Sequence, residues 1–178
     1  GGYKLDVQST NCIKGIAILF ILIGHISGTF HTVVFTPLPA LGVSLFLMCS
    51  GYGLSESYNS KGLNKFWGKK ITRVLLPYAI VITLLVIFRQ YDIDLVRYIL
   101  EITGMKTMYW YVAYQLKWYL AFFMTMLFFP RQRMLILAIV GVLMFITLGS
   151  LEVEQTPAFI LGVLASCYKD KLTTFSLR

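Results

Sequence analysis

Lys14 and His25 are the residues of this 178-residue chain whose types and spacing most readily support chemistry. They stand eleven positions apart, and everything between them, Gly15 to Gly24, is apolar or glycine. On an α-helix eleven steps of about 100° make three turns plus roughly 20°, so both side chains lie on one face, about 16 Å apart along the axis. A lysine at the inner surface of a bilayer would then put the imidazole near the middle of a hydrocarbon core of about 30 Å. An ionisable group at that depth needs a partner or a water-filled cleft, which makes it a functional candidate. Histidine exchanges a proton near neutral pH and suits a general base. The bland alternative is a histidine hydrogen-bonded between helices above a snorkelling lysine, and spacing alone does not separate the two.

A second polar group lies further along. Lys117 stands among Tyr114, Gln115, Trp118 and Tyr119 inside another apolar run. It reads either as a snorkelling cation at the outer interface or as a contact to a polar substrate. The aromatic crowd from Tyr109 and Trp110 to Tyr119 reads as an interfacial belt or as a set of rings on which a sugar could stack. Cys12, Cys49 and Cys167 are isolated and odd in number, which indicates small apolar residues, with neither a disulfide framework nor a metal centre.

The elements that position these groups follow from composition. Hydrophobic residues make up 57% of the chain and charged residues 13%, far from the roughly 45–50% and 25% of soluble domains. The apolar runs are continuous rather than alternating, so helices and not a barrel must satisfy the backbone inside the bilayer. The expected fold is therefore an all-α, polytopic bundle with segments at about 13–30, 39–57, 72–89, 110–129, 134–150 and 157–168, the last the shortest. Residues 60–70 read as a basic interfacial stretch with Phe66 and Trp67 at headgroup depth, and 89–109 as an outer loop. Gly15, Gly24 and Gly28 are expected to allow close helix approach. Lys61, Lys65, Lys69, Lys70 and Arg73 set the second loop inside, which puts the N-terminus in the cytoplasm, Arg131, Arg133, Lys169 and Lys171 inside, and Glu152 and Glu154 outside. The formal charge of +8 is thus a topology signal and an attraction to anionic lipid, with no need for nucleic acid.

The basic residue, ten intervening residues and histidine of Lys14 to His25 resemble the signature of the membrane acyltransferase 3 family, with lysine where the family usually has arginine. Phe46-Leu47-Met48-Cys49-Ser50-Gly51-Tyr52 is similar to its Phe-hydrophobic-Ser-Gly-aromatic run. The stretch from Phe66 to Tyr78 resembles its basic loop ending in Arg-x-x-x-Pro-aromatic, here Arg73 to Tyr78. Either Trp110-Tyr111 or Trp118-Tyr119 stands where the family has a Trp-aromatic pair. The resemblance implies one membrane domain over residues 1–178, corresponding to the N-terminal half of a longer acyltransferase domain in the plasma (inner) membrane. It implies transfer of an acyl group, chiefly acetyl, from acyl-CoA as co-substrate to a hydroxyl of a cell-surface carbohydrate, with no permanently bound cofactor.

On that reading the phosphates of acetyl-CoA rest on Lys14, Lys69, Lys70 and Arg73, His25 is the general base, and Ser50, Tyr52 or amides near Gly51 and Gly53 steady the oxyanion. Trp110, Lys117, Trp118 and Tyr119 then contact the acceptor. Lysine at position 14 keeps the charge but lacks the planar fork that suits phosphate. The rival expectations are half of a transporter or flippase, with His25 and Lys117 on a substrate pathway, and a non-catalytic membrane subunit that assembles with partners or as an oligomer.

Overall fold

The computed structural model describes residues 7–29, 37–107, 109–147 and 150–175, and among them every regular element is helical. The elements are α1 (Val7–Thr29), α2 (Pro37–Lys61), α3 (Phe66–Lys70), a π-turn (Ile71–Leu75), α4 (Leu76–Ile87), α5 (Leu95–Ile102), α6 (Trp110–Phe128), a 3-10 turn (Pro130–Gln132), α7 (Arg133–Thr147) and α8 (Ser150–Phe175). Among the described residues, three stretches are long and apolar enough to cross a membrane: Pro37–Lys61, Phe66–Ile87 and Pro130–Thr147. The 23 residues of α1, 19 of α6 and 26 of α8 reach about 29 to 39 Å at 1.5 Å per residue, also enough for a core of about 30 Å.

Two boundaries differ from the sequence expectation. The third apolar helix begins at Phe66, because α3 runs without a break through the π-turn into α4. Pro77, near the start of α4, has no N–H to offer the carbonyl four residues back, and the widened turn immediately precedes it. The last helix is 26 residues long and not a dozen, with Pro157 inside it.

The chain forms two compact units, residues 1–62 with 128–178, and residues 63–127. In the first, α1 packs antiparallel on α2, and α8 packs parallel to α2 on another side. Backbone touches backbone at the second joint. A Cβ added to Gly162 would lie 2.0 Å from the Met48 carbonyl oxygen, and one on Gly51 would lie 2.2 Å from that of Phe159. Gly24 of α1 likewise abuts the Pro39 ring, whereas Gly15 has nothing near it, so the close approach expected at Gly15 is not formed. The surroundings of Gly28 lie outside the described residues.

Substituting Gly162 with alanine is expected to cost about 1–3 kcal/mol, because the obstacle is a carbonyl and not a flexible side-chain tip. Gly53→Ala, on α2 two residues beyond Gly51 and with nothing within 4 Å, is expected to be neutral or to gain up to about 1 kcal/mol of helix propensity. Thermal unfolding of the two purified variants in detergent measures the difference, and equal melting temperatures would contradict the contact.

Polar residues of α8 find their partners on α2. Ser44 donates to Gln155, Ser166 Oγ donates to Glu56 at 2.6 Å, and Lys169 Nζ reaches the other oxygen of Glu56 at 2.6 Å. Arg133 Nη1 donates to Asn59 at 3.2 Å beside them. Meanwhile α7 leaves Leu135, Ile139, Val142, Leu143, Phe145 and Ile146 exposed, an apolar face that only lipid or another apolar surface can solvate.

In the second unit Tyr78, Ile82 and Val112 form one buried cluster, ringed by Val74, Leu85, Tyr98, Tyr109 and Leu116 among others. Phe66 is buried, stacked with Phe122 at 6.3 Å and tilted against Phe123 at 5.3 Å, instead of sitting among headgroups. The stretch 89–109 is not only loop: Asp94 caps α5 by accepting from the Arg97 N–H at 2.7 Å. That short helix is inverted relative to a soluble one. Leu95, Val96 and Ile99 are exposed, while Glu101 is fully buried.

Candidate active site

Helix α1 is unbroken from Lys14 to His25. Thr10, Ala17 and Ile21 form its buried stripe, and by the 100° step position 14 stands within about 60° and position 25 within about 80° of every member of it. Gly42 of α2 seats against this stripe, its missing Cβ leaving room for the Ala17 carbonyl and the Ile21 side chain. Lys14 is half-buried with Nζ 5.8 Å from the centre of the Phe46 ring, a cation–π approach. This contact joins the first sequence motif to the second. The side chain of His25 and the whole of His31 lie outside the described residues.

The antiparallel pairing of α1 and α2 sets the level of the residues expected near the oxyanion. Gly24 lies level with Pro39, Ala17 and Ile21 with Gly42, and Lys14 with Phe46. Extending that pattern puts Ser50 below Lys14, about 20 Å along the axis from the level of His25 at 1.5 Å per residue. Ser50 is buried at the lysine end. Tyr52, two residues on, points about 200° away from Ser50, and its backbone N is part of the close contact with Gly162. Gly51 is committed to the same joint. The Ser-Gly-aromatic run therefore builds helix packing at the level of Lys14.

The remaining expected residues belong to the second unit. Lys69 is half-buried and Arg73 exposed on the π-turn. Lys70 is turned inward, with Nζ 4.9 Å from the Tyr119 ring centre and 5.6 Å from that of Phe66. A residue expected to hold the donor and one expected to contact the acceptor are thus neighbours. Gln115 donates to the Tyr119 hydroxyl, and both are buried. Trp110, Tyr114 and Trp118 meet in sequence along α6 at centroid spacings of 6.1 and 6.3 Å, the first pair tilted and the second edge-on. Tyr114 and Trp118 are fully buried, so these rings are interior and do not form an interfacial belt. Lys117 is exposed, outside the buried arc of about 160° that carries Tyr114, Trp118 and Tyr119. The structure separates it from them, and its long stem suits a snorkelling position.

Sequence reasoning missed one centre altogether. Glu101 accepts from Arg97 Nη2 at 2.7 Å, from the Tyr91 hydroxyl at 2.9 Å and from the Tyr78 hydroxyl. Hydrogen bonding with Tyr91, then with Glu101, holds Arg97 protonated even beyond its ordinary range. The i, i+4 spacing of Arg97 and Glu101 was the available signal. Thr83 and Tyr98 add a further hydrogen bond at 2.8 Å between α4 and α5.

A helical membrane protein carrying a cation and an imidazole position on one unbroken helix is the class defined so far. Residues 7–178 match the family described as Acyltransferase domain, and the chain belongs to that membrane acyltransferase 3 family. No curated protein and no solved structure is significantly similar to it.

Proposed function

We propose that this membrane acyltransferase crosses the plasma membrane several times and carries an acyl group, acetyl in the simplest case, from cytoplasmic acyl-CoA to a hydroxyl of a cell-surface carbohydrate. The observation that carries the reading is the continuity of α1 between Lys14 and His25, together with membership of the acyltransferase family. The side assignment draws support from the first unit, where Asn59, Arg133, Glu56 and Lys169 meet at one end, as cytoplasmic positive charge requires.

In this mechanism Lys14 meets a donor phosphate as a charged hydrogen-bond donor, and Lys69 and Arg73 offer further positive charge. Lys70, held against two rings, contributes charge without reaching out. His25 takes the proton from the acceptor hydroxyl as its oxygen attacks the thioester carbonyl. The carbon–sulfur bond then breaks, and the leaving thiolate of CoA receives the proton from the imidazolium. Trp110, half-buried at the start of α6, offers a ring face for a sugar, while the buried Trp118 and Tyr119 support the helix behind it.

Binding of labelled acetyl-CoA to the detergent-purified protein tests the donor assignment. Lys14→Gln is expected to weaken it about tenfold, the loss of one charge-assisted hydrogen bond. An unchanged dissociation constant would remove Lys14 from the donor site.

A further inference from the structure

Beside the 3-10 turn that leads into α7 lies a cleft of about 520 Å³, formed within the first unit by the turn, the start of α7 and the C-terminal half of α8. Its polar side is Arg131, Gln132, Arg133 and Tyr168, its apolar side includes Met134 and Leu135, and none of its lining residues is acidic. Neither arginine forms an ion pair with a carboxylate among the described residues. Arg133 spends one donor on Asn59 at 3.2 Å, which fixes the plane of a guanidinium that has five N–H groups in all. The span Pro130–Thr147 is apolar enough to cross a membrane, so its first residues sit where lipid phosphates lie and the next turn, with Leu135 60% exposed, meets acyl chains.

From this polar-then-apolar order we propose that the cleft holds the headgroup of an anionic phospholipid, its phosphodiester clasped by Arg131 and Arg133 and its chains running along Met134 and Leu135. Two guanidiniums present parallel N–H pairs that match phosphate oxygens. A free or nucleotide phosphate shares the headgroup chemistry but not the chains, and a zwitterionic lipid shares the chains but gains little from uncompensated positive charge. The inference needs only that α7 lies in the membrane and is independent of acyl transfer.

Native mass spectrometry of the purified full chain, titrated with phosphatidylglycerol or phosphatidylcholine, tests it. Phosphatidylglycerol is expected to bind the tighter, and R131A/R133A to weaken it more than about tenfold, at roughly fivefold per arginine near an anionic surface. Asn59→Ala, which leaves both charges in place, is expected to shift binding less than R133A. Should the double variant fail to fold, R131A alone, in the turn, must still show its roughly fivefold loss. Equal affinity for the two lipids, or unaltered binding in R131A, would overturn the proposal. Displacement of bound lipid by inorganic phosphate or acetyl-CoA would also overturn it, in favour of a soluble phosphate ligand, and resistance to both would support it.

Discussion

Replacing His25 with alanine is expected to lower acyl transfer from acetyl-CoA by about 10² to 10⁴, the usual contribution of a positioned general base, while the protein still reaches the membrane. The expectation follows from the register of α1. Position 25 lies on an unbroken α1, and alanine, a strong helix former, keeps that helix while removing the imidazole. Binding of acetyl-CoA should be retained, because Lys14 lies about 16 Å away along the same helix. A variant that binds donor but does not turn over separates chemistry from folding. Unchanged turnover would remove the imidazole from the reaction, and flux of a glycan or small molecule through liposomes without CoA would point to transport in its place.

The second large effect concerns stability. Glu101→Ala is expected to cost about 1–3 kcal/mol, since it takes a fully buried acceptor away from the Tyr78 and Tyr91 hydroxyls, while the partly exposed Arg97 can turn to water. The carboxylate is fully buried and accepts from all three, so the buried Tyr78 hydroxyl bears most of the loss. Arg97→Ala made on top of Glu101→Ala should then cost clearly less than in the parent chain, the signature of two residues in one network. Melting of the second unit, followed by hydrogen exchange in α4 and α5, reads both effects. An unaltered Glu101→Ala protein would mean that the network is incidental.

Much of this architecture was legible from hydropathy because α1, α2, α4, α6 and α7 are each built on a continuous apolar run. The length of α8 was hidden for a physical reason: Gln155, Thr156 and Ser166 are buried, but Gln155 and Ser166 pair with Ser44 and Glu56, more than a hundred residues earlier in the chain. A window of apolar character has no term for a partner so distant. Helix α5 escaped notice because its polar face turns inward and its apolar face outward. The relation of Lys14 to His25 could be read from a single period, since both lie on one helix. Placing Ser50 and Tyr52 required the level at which α2 crosses α1, which no periodicity within α2 encodes. Burial of Tyr114 and Trp118 likewise depended on packing and not on their type, as tyrosine and tryptophan favour both headgroups and interiors.

The pair of glycines at the α2–α8 joint locks more than distance. With Gly51 under the Phe159 carbonyl and Gly162 under that of Met48, sliding either helix by one residue would bring a side chain to a place that holds only a hydrogen atom. The two helices must therefore rise, sink or tilt together, and any rearrangement that admits a substrate has to come from the elements around this fixed pair.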